Sequence, residues 1–443
     1  MSIVSEYTLN FNRNIKINFD GGNHSSDSGL FIFKEFMEKI GFDTVLDEFK
    51  TNDTATFRIH KDASILKQVI YQIIAGYFPD DCADKLRNDP VFCAVLNKGV
   101  LASQPSESRF FNRTDESTLD QLSSILKAMR KIVYSIEMPE YVVLDIDTTL
   151  CDTYGHQEGA SFNYHYQANG YHPIVCFDSM TGDFIAEELR EGTQYCCKGI
   201  REFIEPVLKE YTIEYPEIAP FVRGDSGFAT DELYTICEEY GVKYSIRLKE
   251  NPVLKRLAEP IVDRLLADIK ESKNNVDYAV AYGEFSYQAK SWDSPRRVVC
   301  KVEKFEGQIA PTYTFVVTNM EHSNSRVLID FYCKRGNMEN MIKECKSGFD
   351  MTSVSSSKMI VNANRVMMHA LAYNIFNWMR RLVLPEKMKK DRIETFRLRL
   401  MKIAARIVRS ARYVYFKLCS TCVYMNEFME VLNNIQKLNP QLE

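Results

Sequence analysis

The sequence predicts an α/β protein: a sheet core with acidic strand ends, preceded by a helical region and followed by a basic one. Three observations carry that prediction. Up to about residue 137, apolar residues recur at helical spacing. At Tyr141 the pattern switches to short β-branched runs, separated by turn residues and single helices. Two of those runs end at an aspartate, Asp147 and Asp225.

The N-terminal region, residues 1–137, reads as a helical domain, either for DNA-end binding or as a brace for the core. Ser26 or Asp27 caps a predicted helix running to about Lys39. Ser64 to Phe78 (SILKQVIYQIIAGYF) reads as a helix buried on most sides. Thr118 to Tyr134 reads as an amphipathic one, with Leu122, Ile125, Leu126 and Met129 on one face. Beyond the switch, Tyr141 to Asp147 (YVVLDID) is apolar until its end, as a buried strand is. Tyr171–Phe177 and Phe184–Leu189 are strands around a Ser179-Met180-Thr181-Gly182 turn. Lys198–Tyr211 is a helix, and Ala219–Arg223 is a strand ending in Gly224-Asp225-Ser226-Gly227. Thr230–Tyr240 is a helix closed by Gly241, and Lys243–Arg247 is a strand.

The order β, β, β, α, β, α, β is that of a ribonuclease-H-like core, whose first part spans 138–251. It would bring Asp147 and Asp225 to neighbouring strand ends, where open α/β sheets keep their chemistry. Residues 252–330 read as a β-rich insertion, expected as a small subdomain: a helix at Val253–Lys273, then strands at Tyr278–Tyr282, Arg297–Val302 and Thr312–Thr318. The second part of the core, 331–382, carries a long helix from Asn362 to Leu382. The region 383–443 reads as basic and helical, with helices at Arg392–Cys419 and Tyr424–Gln436.

Composition narrows the class. There is no apolar run of transmembrane length and no signal-peptide pattern, and 12 cysteines lack framework spacing. A cytoplasmic protein with reduced thiols is the expectation, with no membrane partner. The net charge is −5, yet Met379–Lys417 holds 13 Lys+Arg against 3 Asp+Glu. That asymmetry predicts a basic surface on an acidic body.

The stretch Tyr332–Lys346 (YCKRGNMENMIKECK) carries the third acid. Read as one helix, Arg335, Glu339, Lys343 and Lys346 share a face. An Arg/Glu pair at this spacing is ordinarily a solvated surface pair, and an aspartate at a strand end is ordinarily a turn residue or cap. The set gains meaning only together. Asp147, Asp225 and Glu339 are hard oxygen donors of the kind that hold two Mg²⁺ ions, with Mn²⁺ as a substitute. Two such ions, about 3.5–4 Å apart, clamp the attacking and leaving oxygens of a phosphodiester displacement. Arg335, Lys346 and Tyr332 would then hold a phosphate, with Lys343 on the same stripe. Asp145 competes with Asp147, because i and i+2 on a strand share a face.

These motifs resemble those of DDE transposases of bacterial insertion sequences, in the IS-four-like group with a Tyr-Arg-Glu-Lys signature. The chain is most similar to the insertion-sequence thirteen-eighty family. The resemblance lies in LDIDTT (144–149), QEGASFNYHYQANGYHPI (157–174), RGDSGFAT (223–230), YSIRLKENPVL (244–254) and YCKRGNMENMIKECK, with Asn362, Arg365 and ALAYN (370–374) also fitting. Thr148 stands where the group commonly has glycine. The resemblance implies divalent metal, binding to terminal inverted repeats and target DNA, a synaptic homodimer, cut-and-paste strand transfer and a bacterial, nucleoid-associated location. In related enzymes an aromatic residue of the insertion holds a flipped base. Trp292, beside Arg296 and Arg297, is the candidate here, against a plain packing role.

The remaining motifs are weaker. His156, His165 and His172 with Cys176, Cys196 and Cys197 lack zinc-site spacing. Cys419-Ser420-Thr421-Cys422 is a lone CxxC. Two competing functions remain beside the transposase: a transposase-derived DNA-binding protein that no longer cuts, and a stand-alone nuclease on the same core.

Overall fold

The computed structural model describes residues 6–55, 57–271 and 277–442. The chain forms two compact units. One comprises Met138–Lys346 and Thr352–Val366; the other comprises Met1–Glu137, Ser347–Met351 and Met367–Glu443.

The first unit is built on an eight-stranded mixed sheet. Its strands are β1 (Tyr141–Thr148), β2 (Ile174–Asp178), β3 (Phe184–Glu188), β4 (Ala219–Gly224), β5 (Lys243–Leu248), β6 (Tyr278–Tyr287), β7 (Arg296–Phe305) and β8 (Thr312–Thr318). Their order is β6-β7-β8-β5-β4-β1-β2-β3. The β1-β4 and β4-β5 pairs are parallel and the others antiparallel. The central strands are apolar on both faces, as strands covered by crossover helices are. Val142, Val143, Leu144 and Ile146 of β1 are all buried. Helix α1 (Ile200–Lys209) precedes β4, and α2 (Asp231–Glu239), capped by the Thr230 hydroxyl, precedes β5.

Three sequence expectations change here. The strands of the insertion do not close a subdomain of their own. β8 pairs antiparallel with β5, and β7 and β6 follow, so the insertion extends the central sheet. Tyr332–Lys346 is not one helix either. It divides into α3 (Ser325–Cys333), a 3₁₀ turn at Lys334–Gly336 and α4 (Asn337–Phe349). The expected strand Tyr171–Phe177 is also split: Ala168–Tyr171 pairs with Cys151–Asp152 and Ser161–Asn163 in a small separate sheet.

The second unit is mainly helical. Its helix Asp62–Ala75 is buried along most of its length and stops at Gly76, whose φ of +86° an L side chain rarely adopts. Arg397 satisfies the carbonyls left open there, donating from Nε to Ile74 O at 2.8 Å and from Nη2 to Ile73 O at 2.8 Å. The helix Glu116–Ile136 opens with a capping box. The Thr118 amide donates to Asp115 Oδ1 at 3.0 Å, and the Asp115 amide donates to Thr118 Oγ1 at 2.7 Å. Asp115→Ala is expected to cost about 1 kcal/mol, seen as a lower denaturant midpoint at unchanged slope.

The basic stretch departs most from expectation. The predicted helix Arg392–Cys419 is a short helix (Ile393–Phe396), a π turn and then an antiparallel ribbon. The ribbon strands are Ala405–Ser410 and Tyr413–Leu418, and His24–Ser25 pairs on the inner edge. The reason is local: Ile407, Val408, Tyr413, Val414, Tyr415 and Phe416 are β-branched or aromatic, and such side chains favour a pleated strand over a helix.

Candidate active site

The parallel pairing of β1 and β4 sets the site. Gly224 lies opposite Ile146, so Asp225 and Asp147 follow as the next residues along two neighbouring strands. Each acid is anchored by a backbone amide. Asp147 Oδ1 accepts from the Thr148 amide at 2.9 Å, and Asp225 Oδ1 accepts from the Gly227 amide at 2.8 Å. Gly227 has to be small: a Cβ there would stand 3.1 Å from Asp225 Oδ1 and 3.3 Å from Cys196 Sγ.

Arg335 comes from the 3₁₀ turn and points inward. Its Nη2 lies 2.9 Å from Asp147 Oδ2 and donates to Ile146 O at 3.1 Å. Burial pushes the Asp147 carboxyl above the usual carboxylate range, the Arg335 cation opposes that shift, and the Asp225 charge reinforces it. For Arg335, burial lowers the pKa but nearby anions, Asp147 foremost, outweigh it, and the guanidinium is held charged.

Asp145, the rival first acid, is fully buried and committed elsewhere. Both of its oxygens accept from Arg223, Nε to Oδ1 at 2.6 Å and Nη2 to Oδ2 at 2.7 Å. Arg223 also donates to Ser179 Oγ at 2.7 Å and to the Phe331 carbonyl at 2.5 Å. A carboxylate with both oxygens on one buried guanidinium has little left to offer a metal ion.

The other predicted residues take separate positions. Tyr332 is buried with Val299, Val316, Leu328 and Ile329, and burial raises its phenol pKa, with Arg335, Arg247 and Asp225 as charged neighbours. Glu339 sits on α4 with its side chain 69% exposed, 3.8 Å from Lys343 Nζ. Lys346 is half-buried, which lowers its pKa, and the Asp152 carboxylate lies near it, together with the buried Cys151 thiol. Among the described residues, no three His, Cys, Asp or Glu side chains gather as they would around a metal ion. Asp147 and Asp225 alone supply paired hard oxygens of the type Mg²⁺ takes; Glu339 is not drawn in.

Trp292 is buried against Tyr234 and Tyr287, with ring centroids 5.1 and 5.3 Å away in edge-on contact. The Arg296 guanidinium lies 5.7 Å from its ring and is held by Asp231 and Glu238. In this arrangement the indole faces its own unit, so it could receive a base only by leaving this cluster. His172 donates from Nδ1 to the Gln194 carbonyl, 2.9 Å away, rather than joining the other histidines. All twelve cysteines are free thiols.

Three residues near the acids escape the motif reading. Tyr166 donates from its hydroxyl to Thr148 O at 3.2 Å, and burial pushes its phenol up to about 12, with Asp147 and Asp225 adding to the effect. Cys196 Sγ lies 3.9 Å from Thr148 Oγ1. Glu187 of β3 shares a sheet face with Asp147 through Val175, and burial pushes its carboxyl up to about 8. Strand register alone brings Glu187 to this face, whereas Tyr166 and Cys196 come in from turns.

A family model described as transposase DDE domain group 1 matches residues 7–440. No curated protein matches the chain. Among solved structures, the chain is similar to one titled as a cryo-EM structure of a piggyBac transposase synaptic complex with hairpin DNA. That likeness has 13% identity and a TM-score of 0.39, and covers 99% of this chain and 85% of the other. No helix among the described residues is long and apolar enough to cross a membrane.

Proposed function

This chain belongs to the transposase DDE domain group 1 family, and from that membership we propose a DNA transposase that cleaves and rejoins the ends of its own element. The insertion-sequence group named above is part of the proposal, as are a ribonuclease-H-like core, terminal inverted repeats and target DNA as partners, and a synaptic homodimer. The observation that carries it is the pair Asp147 and Asp225 on adjacent parallel strand ends, with Arg335 seated on Asp147 and leading into the helix of Glu339.

In this reading Asp147 and Asp225 hold divalent metal, Mg²⁺ or Mn²⁺, and Glu339 completes the set when α4 meets DNA. The bound ions supply Lewis-acid polarisation of the scissile phosphate and a more acidic water or 3′-hydroxyl. Arg335 binds a non-bridging phosphate oxygen. Lys343 and Lys346 orient the strand along α4, and Tyr332 of α3 supports the turn that carries Arg335. Tyr166 and the apolar strands around Asp147 limit water at the reacting phosphorus.

The outward position of Glu339 favours the second reading, a transposase-derived DNA binder that does not cut. One experiment separates the two. A labelled fragment carrying the gene's own flanks is incubated with Mg²⁺ or Mn²⁺ and wild-type protein, Asp147→Ala, Asp225→Ala or Glu339→Ala. Cuts at the element boundary by wild type only are expected. Binding without cutting by wild type would replace the enzyme with the binder. Loss in Asp145→Ala with retention in Asp147→Ala would move the first acid.

A further inference from the structure

The ribbon Ala405–Ser410/Tyr413–Leu418 has two unlike faces. Register places Arg406 opposite Lys417, Val408 opposite Tyr415 and Ser410 opposite Tyr413, so these six side chains share one face. The other face carries Ala405, Ile407, Arg409, Val414, Phe416 and Leu418. It packs on the body of its unit, where Phe416 meets Phe31 edge-on at 4.7 Å. The first face points away. Tyr413 is 66% exposed and Tyr415 48%, with their rings 6.1 Å apart. Arg412 stands at the tip, where Ala411 turns the chain with φ +49°, whereas Arg409 pairs with Val414 on the face of Ile407 and Phe416. No acidic residue lies between 405 and 418. Among the described residues, no ion pair engages Arg406, Arg409, Arg412 or Lys417. Four unneutralised cations, exposed tyrosines and an unpaired outer edge strand are concentrated on one small ribbon, in a chain of net charge −5.

We infer that this outward face is a contact surface for the phosphate backbone of duplex DNA. Charge complementarity selects the partner: arginine forks match phosphate oxygens, and tyrosine hydroxyls add neutral donors to the same oxygens. Shape agrees, since a two-stranded ribbon fits the major groove, with its flanking strands beside the phosphates. The inference rests on the transposase reading for the identity of the polyanion. It places DNA binding on an element far in sequence from the acid pair.

The test uses the full chain and a labelled linear duplex of arbitrary sequence, with binding measured over a range of salt concentrations. A labelled oligo-dT strand is run in parallel. The variants are R406Q, R412Q and the triple R406Q/R412Q/K417Q, with folding checked by circular dichroism. Each cation withdrawn from a phosphate is expected to flatten the plot of log K against log salt by about 0.9, so the slope of the triple variant falls by about 2.7. If the triple variant misfolds, R406Q and R412Q singly are each expected to flatten the slope by about 0.9. Unchanged slopes, with wild type binding duplex and cutting at its own ends, would overturn the ribbon and leave the transposase reading standing. Loss confined to oligo-dT would overturn the duplex assignment. Wild type that binds no duplex at all would overturn both.

Discussion

Arg223→Met is expected to lower the unfolding free energy by about 3–5 kcal/mol, the loss typical of leaving a buried charge without its partner. Arg223 and Asp145 lie in the sheet interior, with their side chains 2% and 0% exposed, and two hydrogen bonds join them. Removing the guanidinium strands a carboxylate in a medium that solvates it poorly. Changing both residues together, as Asp145→Leu with Arg223→Met, is expected to recover most of the loss, because no charge then stays buried. Chemical denaturation of the two singles and the double closes this cycle, and additive losses would refute the pairing. The same guanidinium holds the Phe331 carbonyl and lies 5.0 Å from the Phe331 ring. Phe331 immediately precedes Tyr332 and the turn that aims Arg335. Arg223→Met is therefore expected to weaken end cleavage even at temperatures where the variant stays folded.

Much of this arrangement is legible in the sequence, and the exceptions have identifiable physical causes. The run YVVLDID reads as a buried strand because hydrophobicity falls only at its end, and Asp225 is marked by the glycines around it. Pairing partners are a different matter. Nothing in Tyr278–Thr318 states that its strands continue the central sheet, since an antiparallel neighbour leaves the same pattern in either case. Gly336 signals the break at Lys334–Gly336, yet the i, i+4 spacing of charges outweighs it. That spacing puts Arg335 on a solvated stripe rather than against Asp147. The basic ribbon is hidden by its turn. Ser410-Ala411-Arg412 contains no glycine, asparagine or proline, and Ala411 adopts a left-handed conformation that its type seldom signals. Asp145 is the most instructive position. Strand periodicity leaves it level with Asp147, and only the facing residue on β4 separates them. Arg223 in register with Asp145 makes one acid structural and leaves the next free at the strand end.

Arg335→Ala is expected to reduce end cleavage at neutral pH by about 10²–10³-fold, the usual cost of losing one preorganised charge at a developing oxyanion. It is also expected to change the pH profile, which a purely phosphate-binding role would not do. Burial already raises the Asp147 carboxyl, and Arg335 is the leading influence holding it down. Without that cation the acid rises further and stays protonated to higher pH. Since only the carboxylate can hold a divalent ion, the acidic limb of the rate profile moves to higher pH. The stability sign is consistent. A carboxyl raised above its unfolded value favours the fold at low pH and loses that contribution as pH rises through the folded value. The Arg335→Ala protein should therefore lose more stability than wild type between acidic and neutral pH. Arg335→Lys is expected to restore the limb but only part of the rate, because an ammonium is a point charge without the planar fork that matches phosphate oxygens. An acidic limb that stays in place in Arg335→Ala would mean that the guanidinium does not set the charge of Asp147.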